Sequence, residues 1–224
     1  MRQKRNHLMA IIQNTISFLI VFIVIGLGWK YPLLGFIVPI VMFIGILGAY
    51  FNKNRYVCGH ICPRGVFYDQ LIFYISPNSK IPIIFRNMFL RWIIFIILIF
   101  FMSYQLYQEL SFKNWGKVFW LMCTVTTIIG IILALFFHTR TWCTICPIGT
   151  LGNFFKRRET IPSLILSFNA AKCIDCKLCE KVCPMNLKII TDDKKLKNDN
   201  HDCIGCLKCV YHCQHSALSY NKTN

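Results

Sequence analysis

The chain has 224 residues, 55% hydrophobic and 15% aromatic, with a mean hydropathy of +0.50, which is more apolar material than one soluble core of this size needs. Its formal charge of +16 could suggest nucleic acid, but the cations are scattered through loops beside apolar runs rather than gathered on one polar face, which speaks against that partner. Thirteen cysteines exceed background usage and leave two classes open, a disulfide scaffold or metal clusters.

Four apolar stretches, Leu8 to Leu27, Leu33 to Phe51, Met88 to Tyr107 and Val118 to Phe137, each have about the 20 residues a helix needs to cross a bilayer. Arg2, Lys4 and Arg5 ahead of the first give it the look of a signal peptide. No small-residue cleavage site follows, because Gly28-Trp29-Lys30-Tyr31-Pro32 leads straight into the second stretch, so a retained helix is expected. Gln13 and Asn14 could face a bundle interior or a quinone headgroup, with snorkelling to the interface as the plainer reading. Pro39 is expected to kink span two. Cys123, inside span four, reads as a small buried apolar residue with no other cysteine at its depth.

The loop after span two runs Arg55-Tyr56-Val57-Cys58-Gly59-His60-Ile61-Cys62-Pro63-Arg64-Gly65, and the loop after span four runs Arg140-Thr141-Trp142-Cys143-Thr144-Ile145-Cys146-Pro147-Ile148-Gly149. Both read R-x-x-C, a short gap, then C-P-x-G, and an aromatic-rich amphipathic piece suited to the membrane interface follows each, Phe67 to Ile75 and Leu151 to Phe155. A duplicated hairpin is expected, with halves related by an axis along the membrane normal that brings the cysteine pairs face to face. Cys58, Cys62, Cys143 and Cys146 could then ligate a further iron–sulfur cluster, work as thiol–disulfide pairs or hold another soft metal; the plain alternative is that each C-P turn only shapes a loop. Arg55, Arg64 and Arg140 nearby are expected to favour thiolate.

Lys and Arg in short loops set the topology. The N-terminus, the loop with Lys53, Arg55, Arg64, Lys80 and Arg86, and the stretch with Arg140, Lys156, Arg157 and Arg158 fall on one side, against Lys30, Lys113 and Lys117 on the other. Both termini are therefore expected in the cytoplasm, and the protein in the cytoplasmic (inner) membrane as a multi-pass chain.

After a basic linker containing Pro162, Cys173, Cys176, Cys179, Cys183 and Pro184 give C-x2-C-x2-C-x3-C-P, and Cys203, Cys206, Cys209 and Cys213 repeat the spacing. This is the bacterial two-cluster ferredoxin run, in which the fourth cysteine serves the other cluster. The expected ligands are Cys173, Cys176, Cys179 and Cys213 for one 4Fe–4S cluster, and Cys203, Cys206, Cys209 and Cys183 for the second. A zinc ribbon is a poor match because each knuckle has two surplus cysteines, and disulfides are a poor match for a cytoplasmic domain. Gln214, where proline would commonly follow Cys213, puts that turn in doubt. Leu187 to Ile190, Lys194 to Lys197 and Ala217 to Tyr220 are expected as short strands, with Asp192 to Asn200 forming polar turns.

The expected architecture is a membrane α protein, a bundle of four transmembrane helices made of two repeated hairpins, with a C-terminal two-cluster ferredoxin-like domain. The divisions are residues 1–155 for the membrane domain, 156–169 for the linker and 170–224 for the ferredoxin-like domain. Four helices, two C-x(2–3)-C-P-x-G loops and the terminal ferredoxin run resemble the NapH family of quinol-dehydrogenase iron–sulfur subunits and the membrane cores of NosR and CcoG proteins. The chain looks like the minimal core these share, without the flavin-binding region of NosR-like proteins or the extension of CcoG-like copper reductases. Its second C-P loop is one residue shorter than its first, which would make a shared site asymmetric.

The resemblance implies electron transfer between a cytoplasmic donor or the quinone pool and a partner redox protein, such as a cytochrome, flavoprotein or reductase complex, as the electron-transfer subunit of an oxidoreductase. A redox assembly factor that reduces a metal such as copper for another enzyme is the alternative, and a redox sensor ranks last because no signalling module is present. No haem is expected, since His7 and His138 lie at helix ends and His60 in a loop. His201, His212 and His215 flank the ferredoxin cysteines and read as tuning or solvated groups. Membrane lipid is an expected partner; nucleic acid is not.

Overall fold

The computed structural model describes residues 2–51, 55–72, 74–77, 79–108, 111–158, 164–191, 193, 195–196 and 201–222, without the side chains of 2–14, 51, 56, 156–158, 164–165 and 220–222. The expectations for Lys53, Pro162 and part of the 192–200 turns lie outside those residues, and those for His7, Gln13 and Asn14 concern side chains that are not described. α1 (Arg2–Leu27) is followed by a 3-10 turn, Pro32–Phe36, that leads into α2 (Ile37–Phe51). Pro39 falls in the first turn of α2, just after the chain changes from 3-10 to α geometry. Further along come the long helices α5 (Met88–Gln108) and α6 (Phe112–Phe136), which pack on each other.

Three stretches, Pro32–Tyr50, Met88–Gln108 and Phe112–Phe136, are long and apolar enough to cross a membrane. In α1 the described apolar part is Thr15–Leu27, which is shorter. Leu33, Phe43, Phe89, Phe100 and Phe136 all point outward, an apolar surface that suits lipid rather than water.

At the loop end of the helices, α3 (Tyr56–His60) and α4 (Pro63–Phe67) follow α2, and α7 (Thr141–Ile145) and α8 (Pro147–Arg158) follow α6. Each C-P proline opens a helix, where its fixed φ suits the first turn. α4 continues into a π-type turn, Tyr68–Ile72. Phe67, Tyr68 and Ile72 belong to the apolar core with Val21, Ala134, Trp142 and Ile145, while Leu71, Tyr74 and Ile75 are exposed, so the piece is amphipathic with one face packed on the helices. The Tyr68 hydroxyl reaches into that core and donates to the Thr127 carbonyl at 3.2 Å. α8 packs its aromatic face on the bundle, Phe154 against Trp92 and Phe155 against Tyr50.

The C-terminal module is closed by two antiparallel strands, β1 (Leu164–Phe168) and β2 (Leu218–Lys222), with Leu166 opposite Tyr220. β1 lies inside the stretch expected to be linker. Between the strands come α9 (Leu178–Lys181) and α10 (Lys208–Tyr211), and a single bridge, Ile190 to Leu196, stands where two strands were expected.

Candidate functional site

The two cysteine runs fold into copies of one another, offset by 30 positions: Cys173 matches Cys203, and α9 matches α10. Asp175, Lys177 and Asn186 have φ of 57°, 55° and 49°; their counterparts Gly205, Leu207 and Ser216 have 63°, 57° and 49°. Left-handed residues at these points turn successive backbone N–H groups inward, a concavity that suits an anion. The turn after each fourth cysteine is also the same, with Asn186 N–H donating to the Cys183 carbonyl at 3.0 Å and Ser216 N–H to the Cys213 carbonyl at 3.2 Å. Gln214 therefore leaves the turn that Pro184 makes in the first copy unchanged.

A cavity of about 30 Å³ is lined by Cys173, Cys176, Cys179 and Cys213, among others. The Ala217 N–H donates to the Cys213 sulfur at 3.3 Å. Burial pushes the Cys183 thiol up to about 11, and the N–H groups of Leu187 and Met185 pull it the other way. Soft sulfur donors, inward N–H groups and a cavity lined by one such set fit a thiolate-held, anionic iron–sulfur cluster. Among the described residues no three His, Cys, Asp or Glu side chains meet closely enough to hold a single metal ion. Ligands spread over the corners of a cluster have no need to.

The second knuckle faces the membrane helices. Met185, Leu187 and Ile204 form one buried apolar group against which Cys183, Cys203 and Cys206 pack from the ferredoxin side and Cys58 and Cys143 from the C-P loops. Three polar anchors fix this contact. Asp202, next to Cys203, accepts hydrogen bonds from Arg91 at 2.7 and 2.8 Å, from Arg55 at 3.2 Å and from Asn153 at 2.8 Å. Arg86 donates to the carbonyls of Met185 and Asn186 at 3.0 and 2.9 Å. Lys208 lies 3.9 Å from Asp69, the partner of Arg140. Burial pushes the Asp202 carboxyl up, but the hydrogen bonds from Arg91 and the charge of Arg55 outweigh it and hold it at about 2.

The R-x-x-C…C-P-x-G repeats cross over. Arg55 donates to the Cys143 carbonyl, while Arg140 donates to the Cys58 carbonyl at 3.3 Å and to the Cys143 sulfur at 3.7 Å. Each arginine also lies on the glycine of the other copy: a Cβ on Gly149 would overlap Arg55 and the Cys143 carbonyl, and one on Gly65 would overlap the Arg140 guanidinium. Arg140 is held by a bidentate pair with Asp69 at 2.8 and 2.7 Å. The four thiols are close enough to repel: burial first, then Cys58, Cys143 and Cys146, push Cys62 up to about 12. For Cys58 burial likewise outweighs Arg55, so Cys58 and Cys62 are both pushed up, against the expectation that the nearby arginines favour thiolate there.

Beyond these thiols a cavity of about 180 Å³ opens between α1, α2, α5 and α6, walled by Val21, Val38, Met42, Leu98 and Met122 among others. Its loop end carries Cys62, Arg64, Trp142 and Cys146, and Cys123 lines it as well. Cys123 therefore lines the same cavity as two of the C-P cysteines, which stand at its loop end. Arg64 is stacked over Trp142 at 5.0 Å and donates to Thr126 Oγ1 at 2.9 Å. The Trp142 indole N–H is buried without a partner among the described residues. His60 is half-buried and His138 buried, while His212 and His215 are exposed.

Sequence reasoning found the twelve paired cysteines but missed Asp202, Asp69 and Arg91. A carboxylate beside a ligand cysteine in a chain with nine acidic residues was the available signal.

A family model described as a 4Fe-4S dicluster domain matches residues 165–214. A second, described as a 4Fe-4S binding domain, matches twice, over 34–82 and 115–165, each match spanning one C-P loop. Two uncharacterized proteins of Methanocaldococcus jannaschii are 26% and 29% identical over 174 and 198 residues, 76% and 83% of this chain and 66% and 77% of theirs. The "Putative electron transport protein YccM" of Escherichia coli is 26% identical over 213 residues, 87% of this chain and 52% of its own, so the chain spans about half the length of that relative. No solved structure matches. The chain thus carries ferredoxin-type 4Fe–4S domains beside helices of membrane-spanning character.

Proposed function

We propose that this iron–sulfur electron-transport protein is a NapH-like membrane core, related to those of NosR and CcoG, that moves single electrons between its ferredoxin-like module and a lipid-soluble carrier in the bundle. The observation that carries this reading is the shared apolar group of Met185, Leu187 and Ile204, where knuckle cysteines and C-P cysteines meet. Bound 4Fe–4S clusters supply the one-electron chemistry; the chain holds, orients and shields them.

In this reading the membrane domain is residues 1–155, four helices built as a duplicated hairpin, and the linker and ferredoxin-like module take 156–169 and 170–224. The crossover of Arg55 and Arg140 onto each other's loops supports duplication, since each arginine has the same task in the opposite copy. Cys173, Cys176, Cys179 and Cys213 hold one cluster, and Cys203, Cys206, Cys209 and Cys183 the second. The cavity lined by the first of these sets supports that assignment. Cys58, Cys62, Cys143 and Cys146 hold a third centre, a reading supported by their mutual repulsion and by the twofold match of a 4Fe-4S binding model. The loops with these cysteines and both termini lie in the cytoplasm.

The carrier is a quinone. The cavity is apolar along its length and offers two donors, Arg64 and the unpartnered Trp142 N–H, at the end nearest Cys62 and Cys146, which suits a ring carrying carbonyl oxygens on an apolar tail. The test is anaerobic addition of a short-chain quinol to membranes holding the chain, with cluster reduction followed by electron paramagnetic resonance. Reduction by quinol, or oxidation of dithionite-reduced clusters by the quinone, is expected. A chain inert to both, yet active in reducing cupric ion, would favour the assembly-factor alternative.

A further inference from the structure

Four arginines are packed around the C-P loops, and two carboxylates face them. Asp202 pairs with Arg55 and Arg91, whose side chains are 1% and 0% exposed, and Asp69 pairs with Arg140. Arg64 meets no carboxylate among the described residues; its partners are Thr126 and the Trp142 ring. Lys208 touches Asp69 only from an exposed position, and Arg86 is engaged with the carbonyls of Met185 and Asn186. Among the described residues, four arginines thus stand against two carboxylates, and the half-buried Arg64 is the one that meets neither. A cation drawn partly out of water without a counter-charge is costly. Two disulfides would be neutral and leave that cost in place, whereas four thiolates around an iron–sulfur core form an anion that offsets it.

We infer that Arg64 sets the reduction potential of the centre held by Cys58, Cys62, Cys143 and Cys146, and keeps it above the potentials of the two ferredoxin-type centres. This rests on the four-cysteine reading above. An electron added to an anionic centre is favoured by a fixed positive charge, and the half-buried place of Arg64 in an apolar cavity wall weakens screening by water. Arg64 is suited to this because Thr126 and Trp142 fix it on the same cavity wall as Cys62 and Cys146. Among the described residues lining the cavity of the first knuckle, the cations are the exposed Lys172 and Lys177, and water screens them.

The test is a redox titration of the full chain in lipid nanodiscs, without quinone, each centre taking one electron from dithionite while its paramagnetic signal is read. In the wild type the four-cysteine centre is expected to be reduced first. Arg64→Gln should weaken its reduction equilibrium by tenfold or more, about 59 mV for one electron, and leave the other two within twofold. Arg64→Lys should restore most of the loss. Should Arg64→Gln lose the centre, Thr126→Val, which frees the guanidinium but keeps its charge, should give a smaller shift of the same sign. Reduction of a ferredoxin-type centre first, or no selective shift in any variant, would overturn the assignment to Arg64. Iron and signals for two clusters only would instead overturn the four-cysteine reading, and this inference with it.

Discussion

Asp202 joins three elements of the membrane module to the residue before Cys203, and its removal leaves Arg55 and Arg91 buried without their counter-charge. Asp202→Ala should therefore cost about 3–5 kcal/mol. The loss should appear as faster hydrogen exchange at residues 183–187 and 202–206, at unchanged iron content of the ferredoxin module. The depressed pKa gives the pH dependence its sign. A carboxyl at about 2 instead of 3.8 contributes about 2 kcal/mol, present at neutral pH and lost as pH falls from about 4 towards 2. The difference in thermal stability between wild type and Asp202→Asn should narrow across that window and stay constant above it. A difference that instead grew on acidification would rule out this role for the carboxylate.

At the scale of elements, the two knuckles are one backbone device used twice; Cys183 packs with Cys203 and Cys206, and Cys213 lines one cavity with Cys173, Cys176 and Cys179. Replacing Cys183 with Ser should damage the cluster served by Cys203, Cys206 and Cys209 and spare the one served by Cys173, Cys176 and Cys179. Resonance spectra of the two clusters decide this, and loss of only the Cys173 cluster would mean that ligation is not crossed. The C-P loops depend on an equally close fit. Gly149→Ala would set a methyl group against Arg55 and the Cys143 backbone, which cannot both yield, so a loss of about 1–3 kcal/mol is expected. Gly65→Ala meets only the end of the Arg140 side chain and should cost less. Denaturation of the two variants side by side measures the order.

For the whole molecule, the proposed topology places the second hairpin's turn opposite both termini. A reporter inserted near Asn114 should read as extracytoplasmic and one fused after Asn224 as cytoplasmic, because Lys and Arg concentrate on the loop side. Both reporters on one side would remove α6 as a span. The docking of the ferredoxin-like module through Asp202, Arg86 and the Met185 group then determines which centre faces the bundle: Cys203 and Cys206 pack towards Cys58 and Cys143, while Cys176 is exposed.

The order of the cysteines, the apolar stretches and the paired R-x-x-C…C-P-x-G units were legible in the sequence because each is local: ligand spacing, helix length and a repeated turn are set within a few residues. The backbone conformation around the knuckles followed from the same run, and even Gln214 in place of proline did not alter it. What tertiary structure alone decided depends on residues far apart in the chain. Asp202 lies 147 positions from Arg55 and 111 from Arg91, and nothing near it in sequence marks it as their partner. The burial of Phe67 and Tyr68, the sharing of one cavity by Cys62, Cys123 and Cys146, and the solitary charge of Arg64 arise in the same way. An amphipathic pattern gives a side chain a preferred face, but which surface covers that face, and which charge faces which, is fixed only when the helices and the ferredoxin-like module pack and exclude water.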